Sequence, residues 1–172
     1  MKKITAFILM MLIIGAATAA TFKSDITTQG RASYFSKSMT DQQLADMIRD
    51  HETLTAASTL TYADCGKTFF LNATTEFATT LPTPIAGCMA TFYIKAAPVG
   101  SSYTVVTDSG DNVIYGEAVV NGAAIAAVTE DTITFTASAA AIGDWVTLYS
   151  DGTNWYVSGQ GVAATAIAFT AT

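Results

Sequence analysis

The chain has 172 residues, a net charge of −6, 51% hydrophobic side chains and only 13% charged ones. That length fits one domain, which buries roughly 70% of its unfolded surface and so needs no metal to fold. The acidic balance argues against nucleic acid, whose phosphates demand clustered Lys and Arg. After Lys95 there is no Lys or Arg, while Asp108, Asp111, Glu117, Glu130, Asp131, Asp144 and Asp151 follow, so the C-terminal half repels phosphate and anionic lipid.

Residues 1–20, MKKITAFILMMLIIGAATAA, join a Lys2-Lys3 n-region, an apolar stretch and a small-residue Ala17-Thr18-Ala19 ending. This is the pattern of a secretory signal peptide. The alternative is an uncleaved apolar anchor, for which residues 4–20 are near the lower length limit of a membrane span. Export would give Cys65 and Cys88, the only cysteines, the chance to form one disulfide. Two buried free thiols are the other reading. No CxxC and no Cys/His cluster points to zinc or redox chemistry.

Residues 21–40 are polar and without sustained periodicity, an extended arm. Thr40, with Gln43 at the capping-box position, then opens a short helix over about 41–50. Its stripe is Leu44, Met47 and Ile48, at helical spacing. His51, the sole histidine, is expected to end that helix and complement its dipole. Without a nucleophile motif beside it, it is not expected to be catalytic. The expected organisation is a signal-like segment (1–20), an arm with one helix (21–53) and a β-domain (54–172).

From Leu54 the texture is that of strands: short runs of Thr, Val, Ile, Phe and Tyr between turn signals. KTFFLNA, EFATTLP, CMATFYIKA, YTVVTD, VIYGEAVV, DTITFTAS, GDWVTLYS and NWYVSG read as strands, and Asn121-Gly122 as a primed hairpin turn. Ile133 and Phe135 should share a face. Residues 160–172 are small and apolar, fit for a last strand paired in its own sheet or with a neighbouring subunit. The fold class predicted is all-β, an antiparallel β-sandwich or jelly roll, with a trimer packed around a common axis as the alternative.

LYSDGTNWYVSG, residues 148–159, is predicted to fold back on a two-residue Asp151-Gly152 turn, which sets Leu148 opposite Trp155. One face then holds Val146, Leu148, Trp155 and Val157, an apolar core set. The other holds Trp145, Thr147, Tyr149, Asn154 and Tyr156, aromatic with polar tips, the chemistry of a wet contact. Trp145, Tyr149, Asn154 and Tyr156 are therefore the candidate binding residues, toward another subunit or a sugar. Ordinary cross-strand pairing is the plainer explanation of the same residues.

Catalytic patterns are missing: there is no GxSxG, P-loop, GxGxxG or HExxH. Most of the acids after Lys95 fall in turn-like segments, where Asp tends to bond its own backbone. DSGDN (108–112) has oxygen ligands suited to Ca²⁺ but lacks the EF-hand pattern, so no metal and no cofactor is expected. Asn72-Ala73-Thr74 matches the glycosylation sequon.

Three stretches carry a resemblance: LTYADCGKTFFLNATTEFATTLPTPIAG, TFYIKAAPVGSSYTVVTDSGDNVIYG and DTITFTASAAAIGDWVTLYSDGTNWYVSG. Together they resemble a β-rich domain of tailed-bacteriophage virion structural proteins (head decoration or capsid fibre) over about residues 54–159. The resemblance implies a non-enzymatic virion component that packs with its own subunits and with other capsid proteins, as a homo-oligomer on the particle surface. The signal-like start departs from that pattern, because such particles assemble in the cytoplasm. It keeps two further expectations open: a secreted carbohydrate-binding module, and a self-assembling surface or pilus-like subunit using strand addition. Membrane contact is expected only through residues 1–20, if uncleaved.

Overall fold

The computed structural model describes residues 50–73 and 75–171. The signal-like segment, the arm and the helix expected over 41–50 lie outside these residues, apart from Asp50, which precedes a strand. The chain divides into two compact units, and the described body belongs to the one spanning Arg49–Thr172.

Twelve strands form this body. They are β1 (His51–Leu54), β2 (Ser58–Thr59), β3 (Thr68–Leu71), β4 (Ala78–Thr80), β5 (Met89–Ile94), β6 (Tyr103–Val106), β7 (Ile114–Val120), β8 (Ala123–Glu130), β9 (Thr132–Phe135), β10 (Trp145–Ser150), β11 (Trp155–Gly161) and β12 (Ile167–Thr170). Seven make one sheet, in the order β1-β3-β5-β10-β11-β7-β8, and five make the other, in the order β12-β9-β6-β4-β2. The expected all-β sandwich is present, with strands alternating between buried and outward residues, as in iBiB for β3 and eBiBiB for β5.

The pairing differs from a purely antiparallel sandwich. Half of the pairings are parallel: β1–β3, β3–β5, β2–β4, β4–β6 and β7–β11. The reason lies in the chain path. From β1 to β6 successive strands alternate between the two sheets, so each return to a sheet runs in the same direction as before. Parallel neighbours need a crossover, and here a strand of the opposite sheet supplies it in place of a helix. From β7 onward two hairpins, β7–β8 and β10–β11, enter the path, while the chain still crosses between the sheets before β9, β10 and β12. β7 and β8 turn at Asn121-Gly122, whose φ angles of 51 and 78 are both positive, and Val120 lies opposite Ala123. That is the two-residue primed turn expected from the Asn-Gly pair.

The core lies between the sheets. Phe69, Leu71, Phe92, Val146, Leu148 and Trp155 from one sheet meet Tyr103, Val105, Ile133 and Phe135 from the other, all fully buried. Phe69 and Phe92 stack with centroids 5.2 Å apart. Each such side chain contributes roughly 1.5–3 kcal/mol by leaving water. Tyr103 keeps its hydroxyl satisfied in this interior: it donates to the Ala73 carbonyl (3.1 Å) and accepts from the Ala73 amide (3.0 Å). Two buried polar atoms, Thr79 Oγ1 and Trp155 Nε1, have no hydrogen-bond partner.

A disulfide joins Cys65 and Cys88 across a Cα separation of 5.0 Å. It fastens the loop before β3 to the residue that precedes β5. The Gly66 amide beside it donates to the Met89 carbonyl (2.7 Å). Asp64 in the preceding 3-10 turn accepts from the Thr61 amide and from Lys67 Nζ, both at 2.8 Å. Lys67 also lies 3.6 Å from Glu52.

Candidate functional site

The β10–β11 hairpin does not use the two-residue turn expected for Asp151-Gly152. Ser150 lies opposite Trp155, Tyr149 opposite Tyr156 and Leu148 opposite Val157, so residues 151–154 form a four-residue loop. Gly152 is left-handed (φ 98), but Asp151 is not among the positive-φ residues, which a type I′ turn would require. The Asp151 carboxylate instead organises a wider loop by accepting from the Thr153 and Asn154 amides, each at 2.8 Å. The shift is two residues, and side chains alternate with period two, so the expected faces survive it. Val146, Leu148, Trp155 and Val157 are buried, while Tyr149 and Tyr156 are 50% and 43% exposed.

Cross-strand register places the outward residues of the seven-stranded sheet in rows. One row runs Thr53, Phe70, Tyr93, Trp145, Gln160 across β1, β3, β5, β10 and β11. A second runs Met89, Tyr149, Tyr156, Tyr115, Val128 across β5, β10, β11, β7 and β8. Between them lie Thr68, Thr91, Thr147 and Ser158, with Thr91 and Thr147 hydroxyls 2.9 Å apart. Trp145 and Tyr149, four residues apart on one strand, are therefore separated by about 13 Å. The four candidate residues do not make a single platform. Trp145 belongs to the first row, Tyr149 and Tyr156 to the second, and Asn154 to the loop, half-buried.

In the second row the Tyr156 hydroxyl donates to Asp151 Oδ2 at 2.9 Å. Bonds from the Asn154 and Thr153 amides, then from Tyr156, hold the Asp151 carboxyl below its ordinary value. The same contact holds the Tyr156 phenol above its ordinary value. In the first row the rings form a continuous run. Phe70 and Tyr93 stack at 5.9 Å, Tyr93 and Trp145 lie tilted at 6.3 Å, and His51 sets its ring edge-on to Phe70 at 6.0 Å. His51 is thus the first residue of β1 and not a helix terminus, because the β-texture begins three residues before Leu54. His51, Phe70, Tyr93 and Lys95 line a shallow groove of about 370 Å³, with Ile142 on its rim.

Phe70, Tyr93 and Tyr115 were not among the residues singled out from sequence. Their outward direction is readable from alternation, since each neighbours a buried residue, but their meeting with Trp145 or Tyr156 depends on pairings between distant segments.

The acids after Lys95 do not all face solvent. Asp131 and Asp144 are each 2% exposed. Asp144 accepts from the Ala141 amide (2.8 Å) and the Val162 amide (3.0 Å), tying two loops together. Asp108 accepts from Thr83 Oγ1 (3.0 Å), and Asp111 gives its carbonyl to Thr107 (3.0 Å). Among the described residues no three His, Cys, Asp or Glu side chains gather as a metal site would need, and no helix is long and apolar enough to cross a membrane. A comparison with protein families, curated proteins and solved structures finds no match to this chain.

Proposed function

We propose that this protein is a non-enzymatic structural subunit of a virion or virion-like surface assembly, a decoration or fibre component that works by packing against copies of itself and neighbouring proteins. The observation that supports this reading best is the β8 edge. The sandwich has four sheet edges. β1 has four residues with Glu52 inside it, β2 has two residues, β12 has four, and β8 has eight. Within β8 the first charged residue is Glu130 at its end, and Ala123, Ala124, Ala126 and Val128 are exposed. An edge this long, with its charge confined to one end, is a template for another strand, and folded proteins ordinarily blunt or cover it. The bulge at Thr129 disturbs only its last residues.

The motif resemblance over 54–159 supports the virion assignment. The Cys65–Cys88 disulfide, together with the leader pattern, supports maturation outside a reducing cytosol, at a cell surface or in secreted material. A two-fold β8–β8 contact would be isologous, each copy covering the other's edge. Sedimentation of the full chain tests this. The wild type is expected to run as an oligomer at micromolar concentration, and Ala126→Lys, which puts a charge on the edge, as a monomer. A wild type monomeric at every accessible concentration, and missing from particles of its native source, would refute the proposal.

A further inference from the structure

The groove on the first row leads beyond assembly. From residue 50 onward the chain has eleven acidic side chains and two lysines, Lys67 and Lys95. Lys67 is committed to Asp64 and Glu52. Lys95 has no carboxylate partner among the described residues. Its ammonium lies 3.5 Å from Thr53 Oγ1. It stands on the wall of the groove described above, and no carboxylate lines that groove. A strongly acidic body therefore keeps one concave patch free of negative charge and puts an available cation on it. Beside that cation runs the aromatic line His51, Phe70, Tyr93, Trp145, spread over four neighbouring strands and about 14 Å long at ordinary strand spacing.

We propose that this groove binds a carboxylated sugar, a uronic-acid or sialic-acid unit of an acidic glycan. The apolar face of the pyranose ring lies on the Tyr93 and Trp145 rings, whose quadrupoles favour the polarised C–H groups of a sugar. The carboxylate meets Lys95, a compact charge with three donors. The Thr53 hydroxyl, beside Lys95, offers a polar contact to ring hydroxyls. Mutual repulsion keeps polyanions off the rest of the surface, so Lys95 also sets orientation. The shallow, open shape suits a chain that passes along the face, bound weakly at each subunit and strengthened by multivalency if subunits assemble.

The test titrates the full, disulfide-bonded chain with trigalacturonate and with maltotriose, a neutral sugar of the same length, following tryptophan fluorescence at low and at high salt. Trigalacturonate is expected to bind at least tenfold more tightly than maltotriose, with affinity falling as salt rises. Lys95→Gln, at an exposed position that does not threaten folding, is expected to abolish the preference for the acidic sugar. Tyr93→Leu is expected to weaken both sugars, and Tyr62→Ala, an exposed ring that does not line the groove, to weaken neither. Equal affinity for the two sugars, no binding of either, or a Lys95→Gln protein that keeps the preference would each overturn the assignment. So would a Tyr93→Leu or Lys95→Gln change that moves only the sedimentation coefficient, since the groove would then face another copy. The oligomeric state of Ala126→Lys is scored separately, so the assembly reading and this one fail independently.

Discussion

The two halves of the β-body are built by different rules. From β1 to β6 the chain winds between the sheets, and every neighbour within a sheet is parallel. From β7 to β12 two hairpins, β7–β8 and β10–β11, alternate with crossings between the sheets, and the pairings within this half are antiparallel except at the seam between β7 and β11. A hairpin is held by a local turn, and its register follows from the turn's chemistry. A wound strand has no such local device, because its partner lies a full circuit away. The disulfide lies in the wound half, where it bridges residues 23 apart in sequence. The hairpin half relies on Asn121-Gly122 and on the Asp151 carboxylate. One half thus carries a covalent tie, and the two hairpins of the other are closed by backbone geometry and side-chain hydrogen bonds.

The seam should be the most sensitive place to break this arrangement. Gly116 has φ 130, and a Cβ built on it would sit 2.2 Å from the Val157 carbonyl oxygen. Neither strand can yield without losing the parallel ladder. Gly116→Ala is expected to destabilise by on the order of 4 kcal/mol or more, enough to abolish cooperative unfolding in a urea titration followed by near-UV circular dichroism. A variant within 1 kcal/mol of wild type, on the same order-of-magnitude scale, would show that the seam is softer than drawn.

The disulfide comes next. Replacing both Cys65 and Cys88 by Ala should cost about 3 kcal/mol, the chain-entropy value for a loop of this size. Hydrogen exchange should then quicken in β3 and β5 more than in β7 and β8. Uniform acceleration across the body would mean that the two halves open as one unit.

The smallest effect is expected at the hairpin loop. The Asp151 carboxyl titrates below the ordinary aspartate value of 3.8 when folded. A group with a depressed folded pKa stabilises above its unfolded value, and that contribution fades as pH falls through the folded one. Asp151 is fully exposed, so the effect is slight. The melting temperature of Asp151→Asn should match wild type more closely at pH 2 than at pH 6. A gap between the two proteins that widens on acidification would contradict the role given to this carboxylate.

Alternation made much of the body readable in advance. The period-two pattern of DTITF put Ile133 and Phe135 on one face, and both are fully buried. The two faces of β10 and β11 also emerged correctly, although the loop is two residues longer than expected. Only a shift of one would have exchanged core for surface. β1 and β2 escaped notice because HETL and ST are too short and polar to show a period. The buried positions of Asp131 and Asp144 were hidden as well, since burial of a carboxylate depends on which backbone amides the fold delivers to it.

Composition, turn chemistry and alternation, all local properties, determined by themselves that residues after the mid-fifties form pleated sheets with one apolar face. Which strand lies beside which was decided by the tertiary structure alone. The parallel neighbours Phe70 and Tyr93, the approach of Tyr93 to Trp145 and the joining of Cys65 to Cys88 come from contacts between segments far apart in sequence. Many different registers satisfy the same local pattern. Only packing the two sheets against each other selects one, because it must fill a single shared core and leave the unburied residues, the aromatic line among them, on the outside.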